Sequence, residues 1–392
     1  MENYRYLLDI ALILLATKAF GLFTRRLQMP SVVGSLLAGI ILGPALLNIV
    51  QPSDLISSLS EIGVIVLMFE AGLDTSITDL KNAGLKALWI ALLGVLVPLA
   101  MGFLVGSMYN VGPEAWLENL TATSVGITVE TLKEMGAMKT HSGNTILAAA
   151  VIDDVLGIVA LTLVSGMADS SINIGIVLLK VVLFFIFSII VGIILHKVFA
   201  FWFDHDSRGG LQRYSIVSFA FALIMAFVSE EFFGVADITG SFVAGLMISG
   251  TSQCAYVTKR ISTLSYLLIT PIFFANIGLG LTGIEFNGGT LLLILIFCVV
   301  AVLSKVLGCA VAAKMVGYSN SQSMRIGCGM VSRGEVALIV ANRGIALGLL
   351  SSVFVTPILL CVVFTTVVTP LLLKWAYKPI KNDPDFLIQQ AK

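Results

Sequence analysis

Charge is what this sequence has least of. Only 12% of its 392 residues are Asp, Glu, Lys or Arg, while 58% are hydrophobic and the mean hydropathy is +1.01. A soluble domain carries about 25% charged residues because its surface must be wetted. Too few charges exist here to coat a globule of this size, so lipid must be the solvent of most of the chain. Basic and acidic residues number 23 each; this balance marks no partner by itself, and no nucleic-acid partner is expected. Weakly alternating ten-residue runs are also lacking, which excludes an outer-membrane barrel. The five cysteines (Cys254, Cys298, Cys309, Cys328 and Cys361) show no metal-type spacing and read as small core residues. No cleavable leader is expected: Met1 to Arg5 is a short, weakly charged start, and the first apolar run goes on to a basic stop.

What is present is a series of apolar runs of the ~20 residues needed to cross ~30 Å of hydrocarbon. They fall at 6–24, 31–49, 54–73, 86–109, 114–134, 142–168, 172–202, 212–232, 237–250, 261–281, 288–316, 322–348 and 352–376. The expected fold is an all-α polytopic membrane protein of about 13 transmembrane helices.

Connections alternate in charge. Arg25 and Arg26, Lys81 and Lys86, Lys133 and Lys139, Arg208 and Arg213, Lys259 and Arg260, Lys314 and Arg325, and finally Lys374, Lys378 and Lys381 mark every second one. The connections between them (50–53, 110–113, 169–171, 233–236, 282–287, 349–351) contain no Lys or Arg. The positive-inside rule puts the basic set in the cytoplasm of a cell (inner) membrane, with the N-terminus outside and the C-terminus cytoplasmic.

The fifth and twelfth spans are both polar and glycine-rich, and they sit seven apart. This predicts two inverted six-helix repeats with crossed broken helices, a construction that places binding sites near the midplane of many transporters. Span seven is expected to join the halves, and 377–392 to form a short cytoplasmic tail, with no soluble domain expected beyond it.

Two acids stand out. Asp153 and Asp154 lie mid-span in AAAVIDDVLGIVAL, on a helix without a basic residue. An intramembrane acid costs several kcal/mol if charged and unpaired, so it is a functional candidate. Neighbours on a helix point about 100° apart, so one acid can face an aqueous cavity while the other turns to a neighbouring helix. Burial disfavours the charged form; such a group can hold a proton or a hard cation, but hardly both, and that competition suffices for exchange. Lys305, too deep in CVVAVLSKVLGCAV to reach the interface, is the natural partner of Asp153. An Asp153–Lys305 pair would neutralise both groups and could break when a cation reaches Asp154.

Thr121, Thr123, Ser124 and Thr128 make span five hydroxyl-rich around Gly126, where an unwound stretch would free carbonyl oxygens for a cation. The counterpart IGCGMVSRGE in span twelve holds Arg333 and Glu335, expected to contact each other and support the break, with Glu70 or Glu61 as further partners. Lys18, Lys180 and Lys374 lie within snorkelling reach of the interface. The three histidines, His141, His196 and His205, fall at predicted cytoplasmic ends and carry no site assignment.

The chain resembles the monovalent cation/proton antiporters, specifically their electrogenic two-aspartate branch of NapA-like sodium/proton antiporters. The resemblance covers essentially the whole sequence, and its carriers are FEAGLD, TATSVGITVETLKEMG, AAAVIDDVLGI, LSKVLG and VSRGEVALI. The resemblance implies a homodimer. Residues 1–81 and 212–281 would be dimerisation helices, 82–168 and 288–376 a mobile elevator core, and 172–202 a linking helix. It implies Asp154 as the cation-binding acid, Asp153 as its partner acid, Lys305 as the paired lysine and Thr121 to Thr128 as the unwound segment. Two protons per Na⁺ are expected, since related antiporters with one aspartate tend to be electroneutral. Na⁺, Li⁺ and H⁺ are the expected substrates, with K⁺ the alternative cation and no cofactor. Glutathione-gated potassium efflux systems carry a nucleotide-binding domain and a glutamine before the key aspartate, features not expected here.

Two other classes fit poorly. An intramembrane aspartyl protease needs two aspartates facing each other from separate helices, one acting as base. A channel favours rings of carbonyls or acids around a symmetric pore.

Overall fold

A computed structural model describes residues 4–26, 29–75, 77–108, 123–168, 174–205, 211–281, 288–333, 355–378 and 385. Its first half holds α1 (Arg5–Arg26), α2 (Ser31–Leu42), α3 (Asp54–Asp74), α4 (Ile77–Met108), α5 (Val125–Glu134) and α6 (His141–Ala168). After α7 (Ile174–His205) come α8 (Leu211–Phe233), α9 (Asp237–Ser249), α10 (Cys254–Leu279), α11 (Gly288–Met315), α12 (Asn320–Gly329) and α13 (Val355–Ala376). The protein is all-helical, with these 13 helices among the described residues. Seven of them, α1, α3, α4, α7, α8, α10 and α11, are long and apolar enough to cross a membrane.

Local chemistry sets several boundaries. The Ser53 hydroxyl accepts from the Ile56 amide at the start of α3. A capping box opens α12: Ser319 Oγ accepts from the Gln322 amide at 3.2 Å, and Gln322 Oε1 accepts from the Ser319 amide at 3.1 Å. Within α10 a π turn over Ser265–Ile269 precedes Pro271, whose missing N–H leaves the carbonyl four residues back without its usual donor.

Some boundaries differ from those expected. The second helix ends at Leu42, not near 49, because Gly43 precedes Pro44 and takes an extended conformation, with ψ of −178°. The chain then folds back, Asn48 adopting a φ of 52°. Helices α4 and α10 begin several residues earlier than expected, so Lys81, Lys86, Lys259 and Arg260 are helical. Hydropathy marks where hydrocarbon is crossed, whereas backbone hydrogen bonding continues past it.

The inverted repeat is visible in how the helices cross. A Cβ on Gly72 of α3 would collide with the Phe242 carbonyl of α9, and one on Gly245 with the Phe69 carbonyl. The equivalent pair is α10 with α2: a Cβ on Gly278 would strike the Leu36 carbonyl, and one on Gly39 the Ala275 carbonyl. Such backbone-to-backbone contact is how membrane helices gain packing without a hydrophobic driving force between them. Helices α1, α2, α3, α8, α9 and α10 pack mainly on one another, as do α4, α5, α6, α11, α12 and α13. Helix α7 touches α6, α8 and α9, while α5 meets α2 and α3 across the seam and α13 meets α2.

Candidate ion-binding site

The site is built where two helices stop. Ahead of α5, Thr123 and Ser124 are non-helical, with Ser124 extended at φ −92° and ψ 113°. After α12, 331–333 are likewise non-helical. The two segments bind each other. The Ser124 amide donates to the Ser332 carbonyl at 2.8 Å, and Ser332 Oγ donates to the Ser124 carbonyl at 2.6 Å. Thr128 Oγ1 donates to the Gly329 carbonyl at 2.7 Å and lies 2.8 Å from Ser332 Oγ. The N-terminus of α5 and the C-terminus of α12 therefore meet, bringing partial charges of opposite sign together. Thr123 is buried, and its hydroxyl has no hydrogen-bond partner among the described residues.

Asp153 and Asp154 sit on α6 and are both buried. Lys305 of α11 donates to both Asp153 oxygens, at 2.8 and 2.9 Å, with both side chains 0% exposed. Gly94 of α4 covers this pair. A Cβ there would lie 3.8 Å from Asp153 Oδ1 and 3.9 Å from Lys305 Nζ, but only 2.7 Å from Cys309 Sγ. Arg333 is buried at the end of the α12 break, and its carbonyl accepts from Thr366 Oγ1 of α13 at 3.1 Å. Helices α6 and α11 thus hold a neutral ion pair beneath α4, with a second acid one residue along α6.

The transmembrane family of sodium/hydrogen exchangers matches residues 10–378. The chain belongs to this family. Among its relatives, the Na⁺/H⁺-K⁺ antiporter GerN of Bacillus cereus is 38% identical, the alignment covering 96% of this chain and 97% of GerN. A Na⁺/H⁺ antiporter of Enterococcus hirae is 34% identical, with 95% and 98% covered. The solved structure of the sodium proton antiporter MjNhaP1 from Methanocaldococcus jannaschii superposes with a TM-score of 0.73 over 96% of this chain and 98% of that one. At 19% identity that likeness is one of fold.

Not every expected site residue lies at the centre of this exchanger-family fold. Thr121 and Glu335 fall outside the described residues. The stretch expected to be unwound as far as Thr128 is helical from Val125 on, Gly126 included, so of the described residues there only Thr123 and Ser124 are non-helical. Glu70 does not support the α12 break. Lys133 Nζ of α5 pairs with it at 2.6 Å and Ser262 Oγ donates to it, because Glu70 and Lys133 each lie near the C-terminal end of their helix. Glu61, in the early turns of α3, acts electrostatically on Asp237 at the opposite end. Arg325, expected to bracket the turn after span eleven from the start of span twelve, is fully buried in α12.

Arg325 also reveals a contact that sequence reasoning missed. Its Nη1 meets Asp385 Oδ2 of the tail at 2.8 Å, both side chains being 0% exposed. Asp385 further accepts from the Ser142 amide and hydroxyl at 3.2 and 2.5 Å and from Gln322 Nε2 at 3.1 Å. The tail is thereby fastened to the starts of α6 and α12. Gly94 was likewise overlooked, and Ser332, although part of IGCGMVSRGE and VSRGEVALI, was given no role of its own.

Proposed function

We propose that the chain exchanges Na⁺, and Li⁺, for protons by alternating access, with Asp154 holding either the cation or a proton. The observation that carries this reading is the fully buried Asp153–Lys305 pair one residue from a second buried acid, beside two crossed helix breaks. A cation at Asp154 needs further oxygen ligands, and the non-helical stretch at Thr123 and Ser124 ahead of α5 offers them; the Thr123 hydroxyl, without a hydrogen-bond partner among the described residues, favours this. Cation arrival weakens the hold of Lys305 on Asp153, so the pair adds a second proton-linked step. Two protons per Na⁺ then make exchange electrogenic, placing the chain in the NapA-like two-aspartate branch.

In this reading α1–α3 with α8–α10 form the scaffold and homodimer surface, α4–α6 with α11–α13 move as an elevator, and α7 links them. The separate packing of the two groups supports that division. The protein lies in the cell membrane with its C-terminus cytoplasmic. K⁺ in place of Na⁺ is the alternative, favoured by the name of GerN.

The test is proton flux in proteoliposomes on addition of Na⁺, Li⁺ or K⁺, with and without a clamped potential. Na⁺ and Li⁺ are expected to drive flux that responds to potential, and Asp154→Asn is expected to abolish it. Wild-type flux in that variant would overturn the site. Flux indifferent to potential would remove the two-proton stoichiometry, and flux driven by K⁺ alone would establish the alternative.

A further inference from the structure

A cavity of about 520 Å³ opens between α4, α6, α7 and α9, its α6 wall reaching Ile152, the residue before Asp153. Its volume falls within the roughly 300–1,000 Å³ of small-molecule sites. Gly84 of α4, Ala148 of α6 and Phe242 and Leu246 of α9 form its inner wall, with α7 outside. It therefore sits on the seam between the two packing groups. A Cβ added at Gly84 would meet nothing within 4 Å, so the space there is open. Ile189 and Ile193 of α7, which also line it, remain 62% and 56% exposed, so the cavity opens sideways to lipid.

Two polar groups interrupt the apolar wall, both on α7. The Ser188 hydroxyl is buried, 6% exposed, with no hydrogen-bond partner among the described residues. Lys197 is nine residues further along, roughly 14 Å at 1.5 Å per residue, and exposed. Gly84 and Ala148 lie in the early turns of α4 and α6, and Leu246 and Lys197 toward the ends of α9 and α7. In an alternating topology these positions share one membrane face, the one assigned to the cytoplasm. An apolar slot with the Lys197 ammonium at its rim matches an amphiphile with an anionic head. Anionic lipids concentrate in the cytoplasmic leaflet, and basic pockets between helices on that side bind their head groups.

We propose that this cavity holds one anionic glycerophospholipid of the cytoplasmic leaflet, an acyl chain filling the slot and the phosphate meeting Lys197. The choice of leaflet rests on the orientation given under Proposed function; the lipid class does not. Native mass spectrometry of the full chain in detergent, titrated with phosphatidylglycerol or phosphatidylcholine, tests it. One phosphatidylglycerol per protomer is expected to be retained in preference to phosphatidylcholine. Lys197→Gln should weaken phosphatidylglycerol retention about fivefold, the equivalent of the ~1 kcal/mol a basic residue contributes near such a head group, and leave phosphatidylcholine unchanged. Gly84→Phe, whose ring enters the open space, should displace both. Equal retention of the two lipids by wild type, or retention unaffected by Lys197→Gln, overturns the proposal even if Gly84→Phe does not fold. Cation-driven flux is read separately on the same preparations, so loss of exchange with lipid selectivity intact would count against the transport reading alone.

Discussion

Removing the Asp153 carboxylate while leaving Lys305 in place is the most revealing perturbation of the site. The pair is bidentate at 2.8 and 2.9 Å with neither side chain exposed, so no water can take over when one partner goes. Breaking a buried pair costs about 3–5 kcal/mol, because the remaining charge is uncompensated, whereas replacing both partners by apolar groups of similar volume is often neutral or stabilising. Asp153→Ala is therefore expected to destabilise by about 3–5 kcal/mol. Asp153→Ala combined with Lys305→Met should recover most of that loss, a coupling of several kcal/mol in a double-mutant cycle. Lys305→Ala alone should cost less, since an unpaired carboxylate can take up a proton; it should retain some exchange with altered voltage dependence. The assay is thermal unfolding of detergent-purified protein followed by intrinsic fluorescence, with exchange measured in vesicles alongside. A single Asp153→Ala variant that melts within about 1 kcal/mol of wild type would refute the reasoning, because it would mean that water or another group already stabilises Lys305. A double variant no better than the single one would refute it equally.

Gly94→Ala places a methyl group 2.7 Å from Cys309 Sγ, and overpacking of this sort costs typically about 1–3 kcal/mol. The melting temperature should fall, and adding Cys309→Ala should restore it; no rescue would show that the strain lies elsewhere. Asp385→Ala removes the carboxylate facing the buried Arg325 guanidinium, whose Nε still donates to the Ala376 carbonyl at 3.2 Å, and the acceptor of three further donors at the starts of α6 and α12. The expected loss is again about 3–5 kcal/mol, read as a lowered melting temperature and faster proteolysis at those helix starts. Unchanged melting would mean that the tail contact contributes nothing to stability.

The parts of this fold legible from sequence were those with few alternatives. Thirteen apolar runs could become thirteen helices because each was long enough to need one. The polar character of spans five and twelve marked the non-helical Thr123 and Ser124 and the non-helical 331–333, although Gly126, Gly327 and Gly329, expected at the breaks, are helical. Lys305 could be matched with Asp153 for a similar reason: charges this deep are rare, and lipid offers nothing to an unpaired one. Toward the ends of the helices the same logic fails. Lys133, Arg25 and Arg325 meet Glu70, Glu134 and Asp385 in a region where each has several plausible counterparts and water as a further choice. Only the backbone path decides that Glu70 takes Lys133, that Glu134 caps the Ser31 amide at 2.8 Å, and that Arg325 turns inward to a residue 60 positions later. The start of α2 shows the cost of ignoring this. Arg25 and Glu134 lie 3.7 Å apart with the arginine side chain 54% exposed, so their attraction is weak, yet the amide they flank ties α5 to the neighbouring group. A hydropathy profile registers neither charge, although any relative movement of the two helix groups must break that hydrogen bond or carry both partners along.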